Sequence, residues 1–134
     1  MTHNQPLALV VEDSPTQALE IVAALKGHGF EVVTAEDGVT GLEAAYQHQP
    51  ALIVLDVHLP EMNGYQVCRR LKRNHDTASI PVIMLTSVDS AAATLAGVEA
   101  GADDYIAKDQ FASENLTATL ISLNLIADTS HENE

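Results

Sequence analysis

Five short apolar runs alternate along the chain with segments whose apolar residues recur every three or four positions. The runs predict β-strands because most of their residues are aliphatic or β-branched, and the spacing between them predicts helices. Regular alternation of strand and helix favours a parallel sheet covered by helices on both faces. The predicted strands cover residues 7–11, 31–35, 52–55, 81–85 and 104–107.

The segments between these runs carry signals for helix ends. Ser14 is the predicted N-cap of the first helix, Pro15 stands at its first position and Gln17 is predicted to complete a capping box. The predicted helices cover residues 15–27 or 15–29, 38–47, 64–73, 90–100 and 113–127. The core-facing residues predicted for the second helix are Val39, Leu42, Ala45 and Tyr46.

Length and charge limit the classes of function. The 134 residues suit one domain, which we expect to span residues 1–127 and to be followed by a flexible tail at 128–134. With 6 Lys and Arg against 19 Asp and Glu, the formal net charge is −13. Such a chain is not expected to bind nucleic acid or anionic membranes directly. Its expected partners are basic groups, metal ions or proteins that recognise a specific part of its surface.

The chain carries no signal for export or membrane insertion. Its single cysteine, Cys68, cannot form an intrachain disulfide, and the first residues lack the long apolar region of a signal peptide. No apolar run approaches the ~20 residues that a membrane helix needs. We therefore expect a cytoplasmic protein in which Cys68 packs on the same helical stripe as Leu71.

The third apolar run, LIVLD, ends on a carboxylate. Parallel strands direct their carboxyl ends to one edge of the sheet, where ligands bind in α/β folds. The other runs bring further polar side chains to the same edge. They are Glu12 and Asp13 after the first strand, Asp56 after the third, Thr86 and Ser87 after the fourth, and Lys108 after the fifth.

Three carboxylates held close together repel one another unless a cation lies among them. A hard divalent ion such as Mg²⁺ suits oxygen ligands, uses few protein carboxylates and leaves positions for water and a phosphate oxygen. Lys108 sharpens this prediction, because an ammonium group suits a site that receives a phosphoryl group better than a cage built only for a cation. Taken singly, each acid could instead cap a helix or belong to a turn.

Four motifs carry a resemblance to a known family. VVEDS follows the first strand, LIVLDVHLPEMNG contains the third, VIMLTS the fourth and GADDYIAK the fifth. Together they resemble the receiver domain of bacterial two-component response regulators, over nearly the whole chain. The resemblance implies a flavodoxin-like, doubly wound five-stranded parallel sheet in the order 2-1-3-4-5, with five helices.

The resemblance also implies roles for the acids. Asp56 matches the aspartate that accepts phosphate from a phosphohistidine on a sensor histidine kinase or a histidine phosphotransfer protein. Glu12 and Asp13 match the acidic pair that holds Mg²⁺. His58 matches the position whose backbone carbonyl is a metal ligand. The activity implied is self-directed phosphotransfer and autodephosphorylation, without turnover of a small-molecule substrate.

Three further residues match the switch of the family. Thr86 corresponds to the hydroxyl residue that bonds the phosphoryl group, Lys108 to the lysine that pairs with it, and Tyr105 to the aromatic residue that turns inward on activation. The implied result is a changed binding face for a downstream target, made by the fourth helix, fifth strand and fifth helix. Plain core packing is the alternative for Tyr105.

The sequence departs from the family pattern near Lys108. The pattern usually has proline after this lysine, with a cis peptide bond, whereas this chain has Asp109. A cis bond before a residue other than proline costs about 2.5–4 kcal/mol, so the loop either still enforces it or is arranged differently. We also predict that Asp109 competes with phosphate for the ammonium group, and that His58 and Val88 tune the lifetime of the phosphate.

The predicted fifth helix has apolar residues on two faces. Its inward stripe is predicted to contain Leu116, Leu120, Leu123 and Ala127, and its outer face Ala118, Ile121 and Leu125. An outer apolar face predicts a homodimer or docking of a kinase or adjoining domain. Scattered surface apolar residues that bind nothing are the alternative.

Other functions fit the residues less well. A flavodoxin-like cofactor binder needs a phosphate-binding loop of glycine and hydroxyl residues where this chain has acidic EDSPT. A hydrolase of the haloacid dehalogenase type has its nucleophile after the first strand, whereas Asp56 follows the third. Two alternatives stay open: a receiver-like scaffold that works without phosphorylation, and the N-terminal regulatory domain of a larger signalling protein.

Overall fold

A computed structural model describes residues 5–87 and 91–127, so the predicted tail at 128–134 lies outside the described residues. The strands are β1 Leu7–Val11, β2 Glu31–Ala35, β3 Leu52–Asp56, β4 Val82–Thr86 and β5 Asp104–Ala107. The helices are α1 Pro15–Gly27, α2 Gly38–His48, α3 Gly64–Arg73, α4 Ala91–Ala100 and α5 Ala112–Ser122. All strand pairs are parallel, and the sheet order is β2-β1-β3-β4-β5, which confirms the predicted fold.

The strands of the central part of the sheet differ from the prediction at their ends. β3 and β4 each run one residue further, so that Asp56 and Thr86 are the last strand residues instead of the first loop residues. β4 begins at Val82, since Pro81 lacks a backbone N–H, although the carbonyl of Pro81 accepts a hydrogen bond from Ile53 N–H at 3.0 Å. Both polar side chains are therefore fixed by the sheet itself.

Alternate residues of the strands enter two separate cores. One core lies against α2, α3 and α4 and takes Leu9 of β1 and Leu55 of β3, whereas the other lies against α1 and α5 and takes Val10 and Val54. Every residue of β3 is buried. Because burial of one such aliphatic side chain contributes about 1.5–3 kcal/mol, this central strand is strongly held in its register.

The N-caps of α1 and α3 differ from each other in how completely they are formed. Ser14 caps α1 through its Oγ, which accepts from Gln17 N–H at 3.5 Å, but its own N–H donates to Glu12 Oε2 at 3.1 Å. The capping box predicted for α1 is therefore only half formed. A complete box occurs at α3 instead, where Asn63 and Gln66 bond each other's backbone N–H groups.

Two predicted core residues of α2 are on the surface. Val39 and Tyr46 are about 40% exposed, whereas Leu42 and Ala45 are buried as predicted. The buried stripe passes instead through Gly38 and Gly41, where the helix approaches its neighbours closely. Glycine has no hydrophobic side chain, so a pattern of apolar residues does not reveal this face.

The predicted length and faces of α5 are also corrected. The helix ends at Ser122, because the chain turns at Asn124, which has a φ of 61°. Leu123 and Leu125 lie beyond the helix, and both are half-buried against the core under α1 and α5, whereas Ala127 is exposed. Leu125 therefore does not belong to an outer helical face, and the homodimer through this helix stays a prediction.

The buried thiol of Cys68 agrees with the predicted packing role. The side chain is fully buried on α3, and its Sγ lies 3.4 Å from the backbone oxygen of Ala100. Burial raises the pKa of the thiol to about 11, so the reactive thiolate is disfavoured at neutral pH. No helix in the described part of the chain is both long and apolar enough to span a membrane.

Candidate functional site

The carboxylates of the site lie at the carboxyl edge of the sheet. Asp56 ends β3 and is 1% exposed, while Glu12 and Asp13 directly follow β1. Each of these residues offers one oxygen atom, and the three oxygens lie within 4.8 Å of one another. The structure thus brings together the acids that the sequence predicted, with Glu12 and Asp56 buried and Asp13 exposed to solvent.

Lys108 places its ammonium group between two of these acids. Its Nζ lies 2.8 Å from Asp56 Oδ1 and 2.8 Å from Glu12 Oε1. Burial alone lowers the pKa of this lysine, but the hydrogen bonds and negative charges of Asp56 and Glu12 outweigh burial and leave the pKa raised. Lys108 is therefore charged and partly neutralises the two buried carboxylates.

Backbone groups complete the surroundings of the acids. The N–H of His58 donates to Asp56 Oδ1 at 3.2 Å, and the N–H of Ser14 donates to Glu12 Oε2 at 3.1 Å. The other oxygen of Glu12, Oε1, is buried, and the ammonium of Lys108 at 2.8 Å is its partner among the described residues. Because a carboxylate oxygen has more than one lone pair, this contact leaves Oε1 able to bind a metal cation as well.

The donor set fits a divalent metal ion. It consists of carboxylate oxygens from Glu12, Asp13 and Asp56, and hard cations such as Mg²⁺, Mn²⁺ and Ca²⁺ prefer oxygen ligands. Asp13 is exposed to solvent, whereas Oε1 of Glu12 is buried beside the ammonium of Lys108. These residues could therefore hold such an ion beside Asp56.

Thr86 and Tyr105 occupy the neighbouring strands. Thr86 ends β4 and is 7% exposed, and its backbone oxygen accepts from Lys108 N–H at 2.8 Å. Tyr105 lies on β5, at the edge of the sheet, with 38% of its side chain exposed. That exposure argues against the alternative of plain core packing for Tyr105.

The loop after Lys108 takes the second of the two predicted alternatives, an arrangement without a cis bond. The described residues contain no cis peptide bond, so the bond between Lys108 and Asp109 is trans, and the ammonium of Lys108 still contacts both carboxylates. The carboxylate of Asp109 accepts from the backbone N–H of Phe111 at 2.8 Å, close to the start of α5. Glu12 and Asp56 are the ion-pair partners of Lys108 among residues 5–87 and 91–127. Asp109 does not pair with the ammonium here, and its competition with phosphate stays a prediction.

The two residues predicted to tune phosphate lifetime have different outcomes. His58 lies directly beyond β3 with an exposed side chain, so its ring does reach the solvent side of the site. Val88 lies outside the described residues. Their joint effect on phosphate lifetime stays a prediction.

Gly64, the first residue of α3, lies against the backbone of Asp56. A Cβ atom at Gly64 would lie 2.2 Å from the backbone oxygen of Asp56, and Gly64 N–H donates to Val57 oxygen at 2.8 Å. Only glycine allows α3 to begin so close to the end of β3. The Asn-Gly pair signals a turn, but it does not show against which atoms the turn packs.

Comparison with known proteins identifies the family. Residues 8–121 match the family model described as the response regulator receiver domain. The chain belongs to this family. The receiver fold therefore extends from β1 to the end of α5, and the acidic site lies where all strands of the receiver sheet end.

Relatives of this receiver domain differ in length. Protein PilH of Pseudomonas aeruginosa is 38% identical over 100 residues, which cover 75% of this chain and 83% of PilH. The DNA-binding dual master transcriptional regulator RpaA of Synechocystis is 41% identical over 103 residues, or 77% of this chain. That match spans only 43% of RpaA, so the chain corresponds to less than half of this relative.

A similar solved structure contains a metal ion. It is the receiver domain of the sensor histidine kinase PA1611 of Pseudomonas aeruginosa, described with a magnesium ion coordinated in its active-site cleft. The two folds agree with a TM-score of 0.80 at 28% identity, over 88% of this chain and 96% of the other. This likeness supports divalent metal binding by the receiver fold.

Proposed function

We propose that this receiver domain accepts a phosphoryl group on Asp56 from a phosphohistidine of a sensor histidine kinase or a histidine phosphotransfer protein. One observation carries the proposal: an oxygen of the buried Asp56 carboxylate lies 2.8 Å from the ammonium of Lys108, beside two further acids. A buried carboxylate with only a structural role needs a single cation beside it. Here the carboxylate, a possible nucleophile, lies beside an ammonium group that suits the negative charge of a phosphoryl group and beside acids that suit a metal ion.

The transfer would proceed by in-line attack of a carboxylate oxygen of Asp56 on phosphorus. The P–O bond to Asp56 forms as the P–N bond breaks, and the electron pair of the broken bond stays on the imidazole of the donor. Charge develops on the equatorial phosphoryl oxygens, so catalysis depends on positioning and on nearby positive charge. We propose that Lys108 supplies that charge and that Thr86, at the end of β4, donates its hydroxyl hydrogen to a phosphoryl oxygen, as its match to the hydroxyl residue of the family implies.

Mg²⁺ is the proposed ion for this site. Glu12, Asp13, Asp56 and the backbone carbonyl of His58 would hold it, and the magnesium reported for the PA1611 receiver supports the choice. When bound, Mg²⁺ supplies positive charge that stabilises both the carboxylates and the incoming phosphoryl oxygens.

Phosphorylation would then change a binding face. A phosphoryl group on Asp56 would draw Lys108 and the Thr86 hydroxyl towards it, and Tyr105 could turn into the space near Thr86. The exposed apolar residues Leu95 and Val98 of α4 and Phe111 before α5 lie on the elements concerned. We propose that this face, made by α4, β5 and α5, binds the downstream target in one of two populated states.

The target of the proposed switch is either a separate protein or an attached domain, depending on the length of the whole protein. The PilH match, which covers most of that relative, supports a receiver that acts through a separate target protein. The RpaA match, which covers less than half of that relative, supports a receiver that regulates an attached domain. In both cases the activity proposed is self-directed: phosphotransfer to Asp56 followed by hydrolysis of the acyl phosphate.

The decisive experiment is incubation with acetyl phosphate and Mg²⁺ followed by intact-mass measurement. We expect the wild-type chain to gain one phosphate, and Asp56→Asn to gain none. Asp76→Asn is the matched control, because Asp76 is an exposed carboxylate on the loop after α3 and should leave the gain unchanged. A chain that gains no phosphate with any divalent ion would instead be the phosphorylation-independent scaffold.

A further inference from the structure

The loop between β3 and α3 contains a strained turn. Met62 N–H donates to the oxygen of Pro60 at 2.7 Å, closing a turn of three residues around Glu61, whose φ is 68°. Residues other than glycine seldom adopt a positive φ, and a tight turn of this kind persists only where its surroundings hold it in place. The turn at Glu61 therefore needs a neighbouring segment that holds it in place.

The first residue of α2 lies directly against the turn. A Cβ atom at Gly38 would lie 2.5 Å from the backbone oxygen of Met62 and 2.9 Å from its Cβ. Two backbone segments therefore meet here at a distance that no side chain permits. The start of α2 is itself fixed, because Asp37 caps it by accepting from Thr40 N–H at 2.8 Å.

The same loop carries two groups of the proposed site. It begins at Asp56 and passes through His58, whose N–H donates to Asp56 Oδ1 at 3.2 Å. It ends at Gly64, whose N–H returns to the oxygen of Val57 at 2.8 Å. Both ends of the loop are thus anchored near Asp56, and displacement at Met62 has to be absorbed by the few residues between His58 and Asn63.

We infer that Gly38 is a positioning residue for this site: the absence of its side chain lets α2 hold the strained turn at Glu61, and the turn fixes the backbone of His58 beside Asp56. This inference rests on the proposed function. Gly38 touches neither metal nor phosphate, and it acts through the loop. A methyl group at residue 38 would push Met62 outwards and move the His58 carbonyl away from the position where it serves as a ligand.

The test is the affinity of Gly38→Ala for Mg²⁺, measured by isothermal titration calorimetry. We expect the affinity to fall about tenfold, the order found when supports of metal ligands are removed. The backbone amide resonance of His58 should shift in the metal-free protein. At saturating Mg²⁺, the initial rate of phosphorylation by acetyl phosphate should recover towards the wild-type value.

Two control variants separate positioning from loss of stability. Gly27→Ala adds a methyl group in the last position of α1, where nothing lies within 4 Å, and should leave Mg²⁺ affinity unchanged. Leu120→Val removes a methylene from the opposite core, so it should lower the unfolding midpoint without changing the affinity. If Gly38→Ala behaves like Leu120→Val, losing stability at unchanged affinity, Gly38 is only structural and the inference is wrong.

A second variant tests the turn itself. Glycine adopts a positive φ without strain, so Glu61→Gly should let the loop yield to the methyl group at residue 38. We expect the double variant Gly38→Ala/Glu61→Gly to bind Mg²⁺ more tightly than Gly38→Ala and less tightly than Glu61→Gly. An affinity of the double variant no higher than that of Gly38→Ala would overturn the inference. If Gly38→Ala does not fold, an affinity of the double variant equal to that of Glu61→Gly would overturn it. Absence of Mg²⁺-dependent phosphorylation in the wild type would instead contradict the proposed function.

Discussion

The two sides of the site are built in different ways. The acceptor side consists of β3 and the loop that leads to α3, where every strand residue is buried and a complete capping box begins the helix. The lysine side consists of β5 and the loop that leads to α5. Its strand lies at the sheet edge with one fully buried residue, and Phe111 begins the helix without a side-chain cap.

This difference suits the proposed phosphoacceptor, which has to hold one carboxylate in place while a neighbouring cation changes partners. Asp56 is held by packing and by a backbone approach that only Gly64 permits, so its carboxylate keeps one position. Lys108 is held chiefly by ion pairs with Glu12 and Asp56, which a phosphoryl group can replace with stronger ones. Asp56, the proposed nucleophile, is thus fixed sterically, and the ammonium of Lys108 is fixed electrostatically.

The largest effect is expected on the acceptor side from Gly64→Ala. The added Cβ would lie 2.2 Å from the backbone oxygen of Asp56, so the backbone itself must move. We expect a loss of about 3 kcal/mol in the free energy of unfolding, measured by urea denaturation. Gly27→Ala should change it by less than about 0.5 kcal/mol. A similar small change for Gly64→Ala would mean that the acceptor side is not sterically fixed.

On the lysine side, Lys108→Met removes the charge while keeping much of the side-chain volume. Glu12 and Asp56 then stay buried without a cation, and we expect a loss of about 2 kcal/mol at neutral pH in the absence of divalent ions. Mg²⁺ should restore more stability to the variant than it adds to the wild type. Equal stability of the two proteins in a chelating buffer would show that ion pairs do not hold this side.

Smaller effects on the free energy of unfolding are expected at the starts of α3 and α5. Asn63→Ala removes the cap of α3 and should lower the free energy of unfolding by about 1 kcal/mol. Asp109→Ala removes one bond to Phe111 N–H near the exposed start of α5, and its effect should be within about 0.5 kcal/mol. Urea denaturation of both variants gives the comparison, and a larger loss for Asp109→Ala would reverse it.

The smallest effect at neutral pH concerns the thiol of Cys68 on α3. Burial raises its pKa to about 11 from an ordinary value of 9.0, so the unfolded chain loses this proton first as the pH rises. The free energy of unfolding should therefore fall as the pH rises from about 9 towards 11. Cys68→Ala should show a shallower fall between pH 8 and pH 10, a range chosen to lie below the titration of Lys108. Parallel curves for the two proteins would contradict the burial effect.

The sequence predicted most of the fold because strands and helices alternate with clear periodicity. Strand ends agree within one residue, and the acids at the ends of β1 and β3 meet Lys108 because parallel strands share one carboxyl edge. The buried face of α2 was predicted wrongly for a physical reason. Its buried stripe includes two glycines, which have no apolar side chain and so add nothing to a hydrophobic pattern. α5 ends early because Asn124 turns the chain, although the apolar pattern continues.

The details of the site were less predictable, because they depend on contacts between distant segments. Residue types indicated an acid cluster with a lysine, but not that Ser14 N–H would bond Glu12. Asp109 could have faced the ammonium as well as the start of α5, and local sequence does not decide between them. The approach of Gly38 to Met62 joins the start of α2 to the loop after β3, and local sequence does not reveal it.

The double contact of Lys108 also bears on how the domain folds. Glu12 lies near the beginning of the chain and Lys108 near its end, so their ion pair closes one of the longest loops in the sequence. Contacts between such distant residues form after local helices and neighbouring strands, because loop closure costs entropy. The site therefore exists only in a chain that has docked its last strand, and a partly folded molecule lacks the contacts of Lys108 with Glu12 and Asp56.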